Sequence, residues 1–248
     1  MNDNLPLPGI VINSDVVGSS AGDPPRQAEL GRAVETVIAE AVERSSSSSR
    51  WIRSYRGDGE VTVAPPDVPA AWLLWDFLNT IHSSAAAYNR NKKHDAEVDH
   101  RLRLRIGMAG GDVLIEDGVD RAGDPFVLAA RLQSSAAARE ATEALPDAPV
   151  VAVISDDIYQ RVVPYGANGL QPTNFRAVAV DVNGRAGTAW LYVPHSYPPH
   201  VAATSARPSA PPAPKPAPPA ASKYGVQVND SSGVQIGDNG QMWVGRRD

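Results

Sequence analysis

At 248 residues, 42% of them hydrophobic, the chain can bury one large core or two small ones, and one core followed by a tail is the economical reading. A formal charge of −5 gives no general attraction to nucleic acid, zero cysteines exclude disulfides and thiolate zinc sites, and the five histidines, at 82, 94, 100, 195 and 200, show no HExxH spacing, so any metal chemistry must rest on carboxylates. No run approaches the ~18 apolar residues of a membrane span, and "MNDNLPLPG" lacks the basic start and apolar stretch of a signal peptide, so a cytoplasmic protein with no membrane partner is expected.

In chain order, "GIVINSDVV" reads as a buried strand bounded by Pro8 and by Gly18-Ser19-Ser20. A helix fits residues 25–44, where Leu30, Val34, Val37, Ile38, Ala41 and Val42 recur at helical spacing, and the serines at 45–49 end it. "WIRSY" and "EVTVAP" flank "RGDG" and predict a hairpin. A second helix is expected at 69–90, with Trp72, Trp75, Leu78, Ile81 and Ala85 on one face. In "RLRLRIGMAGGDVLIEDG", Leu102, Leu104 and Ile106 alternate with Arg101, Arg103 and Arg105 as in a half-buried strand, and Gly110-Gly111 predicts a hairpin or bulged turn. With Arg90, Lys92 and Lys93 these arginines form a basic stretch that reads as a solvated face, and no nucleic-acid partner is expected. "DPFVLAARLQSSAAAREATEAL" reads as helix with Asp124 as N-cap and Pro125 at the first helical position. The strand "VVAVIS", a short helix "DDIYQRVV", and the strands "FRAVAVDV" and "TAWLYVP" complete the order βαββαββαβαββ. That order predicts an α+β fold, a central, mostly antiparallel sheet flanked by helices.

Two aspartates stand out by position, Asp15 after the first strand and Asp58 in the hairpin turn. If those strands are neighbours, both carboxylates reach one small space, where they repel each other unless a hard divalent ion lies between them. Such a site could hold a triphosphate and support in-line attack at phosphorus. Aspartate is also common in turns, so an ordinary turn role stays open on composition alone.

The three stretches "IVINSDVVGSS", "YRGDGEVTVAP" and "LRLRIGMAGGDVLIEDGVDRAGDPFVLAARL", in that order, resemble the class III nucleotidyl cyclase catalytic domain, of a divergent bacterial type, over residues 8–195. The resemblance implies a ferredoxin-like core and places the two metal-binding aspartates at Asp15 and Asp58, which would hold two Mg²⁺ or Mn²⁺ ions on a nucleoside triphosphate. By the same correspondence Asp120 is the base-contacting acidic residue and Arg131 the transition-state arginine. Ser54 stands where the family has a base-reading lysine, and Val127 where it has the asparagine that positions the ribose. Serine can still hydrogen-bond a base, whereas valine makes no hydrogen bond. The implied function is a cyclase yielding a cyclic nucleotide and pyrophosphate; the alternative is a catalytically inactive, nucleotide-binding adaptor. Family sites are shared between protomers, so the resemblance also implies a dimer, with itself or with a related chain that brings the missing lysine and asparagine.

Residues 1–197 form the cyclase-like part of this reading, and 198–222, with "ARPSAPPAPKPAPPAAS", form a Pro/Ala spacer expected to be extended and to lack a packed structure. Within 223–248, Val234, Gln235, Ile236 and Gly237 resemble the RIP-homotypic-interaction-like motif of amyloid signalling proteins, with a looser copy at Val226, Gln227 and Val228. In stacked copies the apolar residues would form a dry zipper and the glutamines amide ladders, so proteins carrying a matching motif are expected partners. A disordered tail, or one laid as a hairpin on the domain, is the plainer alternative.

Overall fold

The computed structural model describes residues 6–90, 92, 94–95, 98–116, 119–182 and 185–202; the tail residues Val226, Gln227, Val228, Val234, Gln235, Ile236 and Gly237 lie outside them. The chain runs β1 (Leu7–Val16), α1 (Pro24–Glu43), β2 (Ile52–Arg56), β3 (Gly59–Ala64) and α2 (Ala70–Trp72), which a π-helical turn at Leu73–Phe77 joins to α3 (Leu78–Asn89). It continues through β4 (His94–Asp95), β5 (Val98–Asp99), β6 (Leu104–Glu116), β7 (Val119–Ala122), α4 (Asp124–Gln133), α5 (Ala136–Ala144), β8 (Val150–Ser155), α6 (Asp156–Val162), β9 (Phe175–Val182) and β10 (Arg185–Tyr192). The elements up to α3 and from β8 onward follow the order expected from the sequence, while β4, β5 and β7 are additional and the strand and helix expected between residues 101 and 145 divide differently.

One eight-stranded sheet organises the molecule, in the order β2-β3-β1-β6-β8-β10-β9, with β7 paired to β6. Every neighbouring pair is antiparallel except β6 and β8, which run parallel. Strand β8 and the middle of β1, residues 10–12, are apolar on both faces because helices cover both. On one face Ile12, Leu104, Ile106 and Met108 pack with Leu30, Val34 and Ile38 of α1 and Phe77, Leu78 and Ile81 of the π turn and α3. On the other, Val11, Ala109 and Val153 pack with Ala129 and Leu132 of α4 and Ala137 and Ala141 of α5.

Three local expectations change. Strand β6 runs straight through Gly110 and Gly111, without the expected turn: Gly111 holds φ 148°, and both residues pair with β1 opposite Ile10 and Gly9. The long helix expected after Asp124 is broken at Ser134-Ser135, where the Ser135 side chain accepts from the Ala138 amide at 3.2 Å and caps α5. Asp124 is itself the first residue of α4, and Gly123 holds the cap position. Residues 198–202 lie against the domain: Pro198 O accepts from Arg176 Nε at 3.1 Å, and Val201 is buried. Among the described residues no helix is long and apolar enough to cross a membrane.

Candidate active site

The β1–β3 register sets Asp15 opposite Gly59, the residue after Asp58, and the Val16 amide donates to Asp58 O at 3.1 Å. The two aspartates predicted from sequence are therefore brought together at one end of the sheet. The approach depends on glycine, because a Cβ at Gly59 would stand 2.0 Å from Ser14 O. On its other side Asp15 faces Arg105 of β6. The Arg105 guanidinium forks onto the carboxylate, Nε to Oδ1 at 3.1 Å and one terminal nitrogen to Oδ2 at 2.6 Å. The row across four strands is thus Arg56, Gly59, Asp15, Arg105, and the next row on the same face is Ser54, Val61, Asn13, Gly107.

The loop after β1 closes the site from the chain's own backbone. Ser19 donates its hydroxyl to Asp58 Oδ2. Arg26, buried in the first turn of α1, donates to the carbonyls of Gly18, at 3.2 Å, and Ala21. Asp23 caps α1 by accepting from the Arg26 amide at 3.0 Å, with Pro24 and Pro25 fitting the first turn. Behind the hairpin, on the opposite face, buried Glu60 takes both arms of Arg53 at 2.5 and 2.8 Å and a hydroxyl from Thr62 at 2.7 Å, and Arg53 also donates to Glu35 O in α1 at 2.9 Å. The Glu60 hydrogen bond holds the Arg53 pKa above its ordinary value.

Helix α4 lies close over β6, since a Cβ at Gly107 would meet Ala129 O at 2.0 Å. Its Gln133 accepts from Asn13 Nδ2 at 3.3 Å, beside the aspartates. Val127 and Arg131, four residues apart, share the exposed stripe of the helix instead. Arg131 lines a cavity of about 470 Å³ with Ser134, Ser135 and the β9 residues Ala179, Val180 and Asp181. Strand β9 is four strands from β1, but α4 itself also packs against β6 and β1, with its Gln133 at Asn13. Asp120 lies on β7 opposite Ile115, outside the main path of the sheet. Ser54 shares the face of Asp15, two strands away.

The donor set of this site is two carboxylates, with no cluster of three or more His, Cys, Asp or Glu among the described residues. That fits Mg²⁺ or Mn²⁺ carried on phosphates, because such ions take one or two protein carboxylates and complete their shell with water and phosphate oxygens. Arg105 is the site residue the sequence reading missed. Alternation placed it on the polar side of β6, but its partner lies 90 positions away in the chain.

No protein-family model matches the chain, and no curated protein matches it. Solved structures do. An adenylate/guanylate cyclase/hydrolase from Silicibacter pomeroyi superposes with TM-score 0.52 at 20% identity, covering 77% of this chain and 99% of that one. The adenylyl cyclase CyaB from P. aeruginosa gives TM-score 0.52 at 15% identity, covering 79% and 100%, and the guanylyl cyclase Cya2 gives 0.50 at 12%, covering 79% and 98%. The fold is that of class III adenylate/guanylate cyclase catalytic domains.

Proposed function

We propose that this chain is a cyclase-like signalling protein of the cytoplasm that binds a nucleoside triphosphate through two Mg²⁺ or Mn²⁺ ions at Asp15 and Asp58 and converts it to a cyclic nucleotide and pyrophosphate. The observation that supports the reading is the β1–β3 register, which sets Asp15 opposite Gly59, the residue after Asp58, at a place where a Cβ would meet the Ser14 carbonyl. Bound divalent ions would activate the 3′-hydroxyl for attack on the α-phosphorus and offset the charge gathering on the leaving pyrophosphate. The chain's own part is to hold Asp58 in place through Ser19 and the phosphate-side loop still through Arg26. Arg131 and Asp120 act on a nucleotide held by a second protomer, as the shared site of the family resemblance implies. The partner is a second copy or a related chain. The segment 223–248 acts as a homotypic assembly motif, beyond the 198–222 spacer, and raises the local concentration of domains that must pair.

The second reading, an inactive adaptor that binds nucleotide and recruits partners through the tail, is favoured by one observation: Val127 is 50% exposed on the stripe it shares with Arg131, where it offers a nucleotide no hydrogen bond. Incubation with each of four nucleoside triphosphates and Mn²⁺ or Mg²⁺, followed by mass spectrometry, separates the two. A cyclic product lost in Asp15→Ala and Asp58→Ala is the expected result, with turnover falling at low protein concentration when residues 223–248 are removed. Nucleotide binding without product from any triphosphate establishes the adaptor, and a product that survives both substitutions refutes the site.

A further inference from the structure

The Asp15 carboxylate is not a loose surface acid. Its partner Arg105 comes from a central strand, both side chains are about four-fifths buried (19% and 21% exposed), and the fork spends one guanidinium nitrogen on each oxygen. This is the strong, directional form of a charged hydrogen bond. Asp58 differs, since what it accepts is a neutral hydroxyl from Ser19. The neighbouring cation on the same strand face, Arg103, is engaged elsewhere, donating to the carbonyls of Thr142 and Leu145 at the end of α5. One of the two carboxylates therefore carries a dedicated counter-cation.

We infer that Arg105 is a latch on the metal-binding carboxylate: the guanidinium and a divalent ion compete for Asp15, so the site rejects free metal and accepts it together with a polyphosphate. The inference rests on the reading of Asp15 as a metal ligand. A divalent cation brought to Asp15 while the fork is in place meets a fixed positive charge and two oxygens already oriented toward nitrogen. An arriving polyphosphate changes the balance, because its oxygens offer the guanidinium an equivalent fork and release the carboxylate. Uptake of metal and nucleotide is then coupled through one side chain, and the coupling is reciprocal. The chain thereby avoids charging its site with metal when no nucleotide is present.

The test is Mn²⁺ alone, titrated into the full chain and read from the electron paramagnetic resonance signal of the free ion. Arg105→Gln is expected to bind Mn²⁺ about tenfold or more tightly than the wild type, within the usual span of coupling between two ligands, and Arg105→Gln combined with Asp15→Asn is expected to lose that gain. Arg105→Lys, which keeps a charge but not the fork, is expected to fall between and supports the latch even if the glutamine variant folds poorly. Wild-type and Arg105→Gln chains that bind Mn²⁺ equally tightly, both through Asp15, overturn the latch and leave the metal site standing. Absence of any Asp15-dependent uptake in all variants overturns the metal site and the latch with it.

Discussion

Val127 and Arg131 occupy one exposed stripe of α4, and only the arginine can address a polar ligand. Half-exposure makes position 127 tolerant: Val127→Asn should change stability by no more than about 0.5 kcal/mol. If the stripe faces a bound nucleotide, the new amide should raise kcat by up to about 10²–10³-fold, the size of effect usual for one transition-state donor. Steady-state kinetics on the purified variant checks this; an unchanged kcat in a folded chain removes Val127 as the limiting residue. At this scale the sequence was informative where chemistry and local position coincide. Asp15 after an apolar strand and Asp58 in a Gly-Asp turn could be singled out without any partner. Arg105 could not, because its role depends on the β1–β6 register, which alternation within one strand does not contain.

Elements obey the same division between local and non-local causes. Strand and helix order followed from periodicity, yet Gly110-Gly111 misled, since glycine that permits a turn also permits the close approach of a neighbour, here Pro125, whose Cγ would lie 2.8 Å from a Cβ at Gly111. The 3.6-residue pattern of the second helix slips at the π turn, which leaves Trp75 at 36% exposure while Leu78, Ile81 and Ala85 are fully buried. On α3, His82 meets the His195 ring at 4.8 Å, and burial first, then the charge of His195, pulls its pKa from 6.5 to about 4. The unfolded chain then binds a proton at His82 between those values that the folded chain does not, so stability falls as pH drops through that window. The loss attributable to His82 is at most about 2 kcal/mol by pH 4.5, because solvent screens part of the half-buried ring. Urea unfolding at pH 7 and 4.5 should show His82→Leu losing less stability on acidification than the wild type; equal losses would place the acid sensitivity elsewhere.

At the scale of the whole molecule, the residues the proposal assigns to one active site come from the β1–β3 hairpin end and from α4. Asp15 and Asp58 sit toward the β2–β3 edge of the sheet, while Arg131 lines a cavity with β9 at the opposite edge. In the reading proposed above each chain offers two half-sites, and a complete site requires two chains. Sequence carried this level only through the family resemblance, because composition and periodicity say nothing about which surfaces meet. The tail motif belongs to the same level, where the proposal makes it a device that keeps copies close enough to pair. The most direct measurement mixes two inactive chains, Asp15→Ala with Asp58→Ala in one and Arg131→Ala in the other, and assays cyclic-nucleotide formation. Mixed pairs hold one intact site, so the mixture should regain turnover that neither chain has alone. A mixture as inactive as its components, beside an active wild type and with heterodimers demonstrated, would contradict the shared-site account.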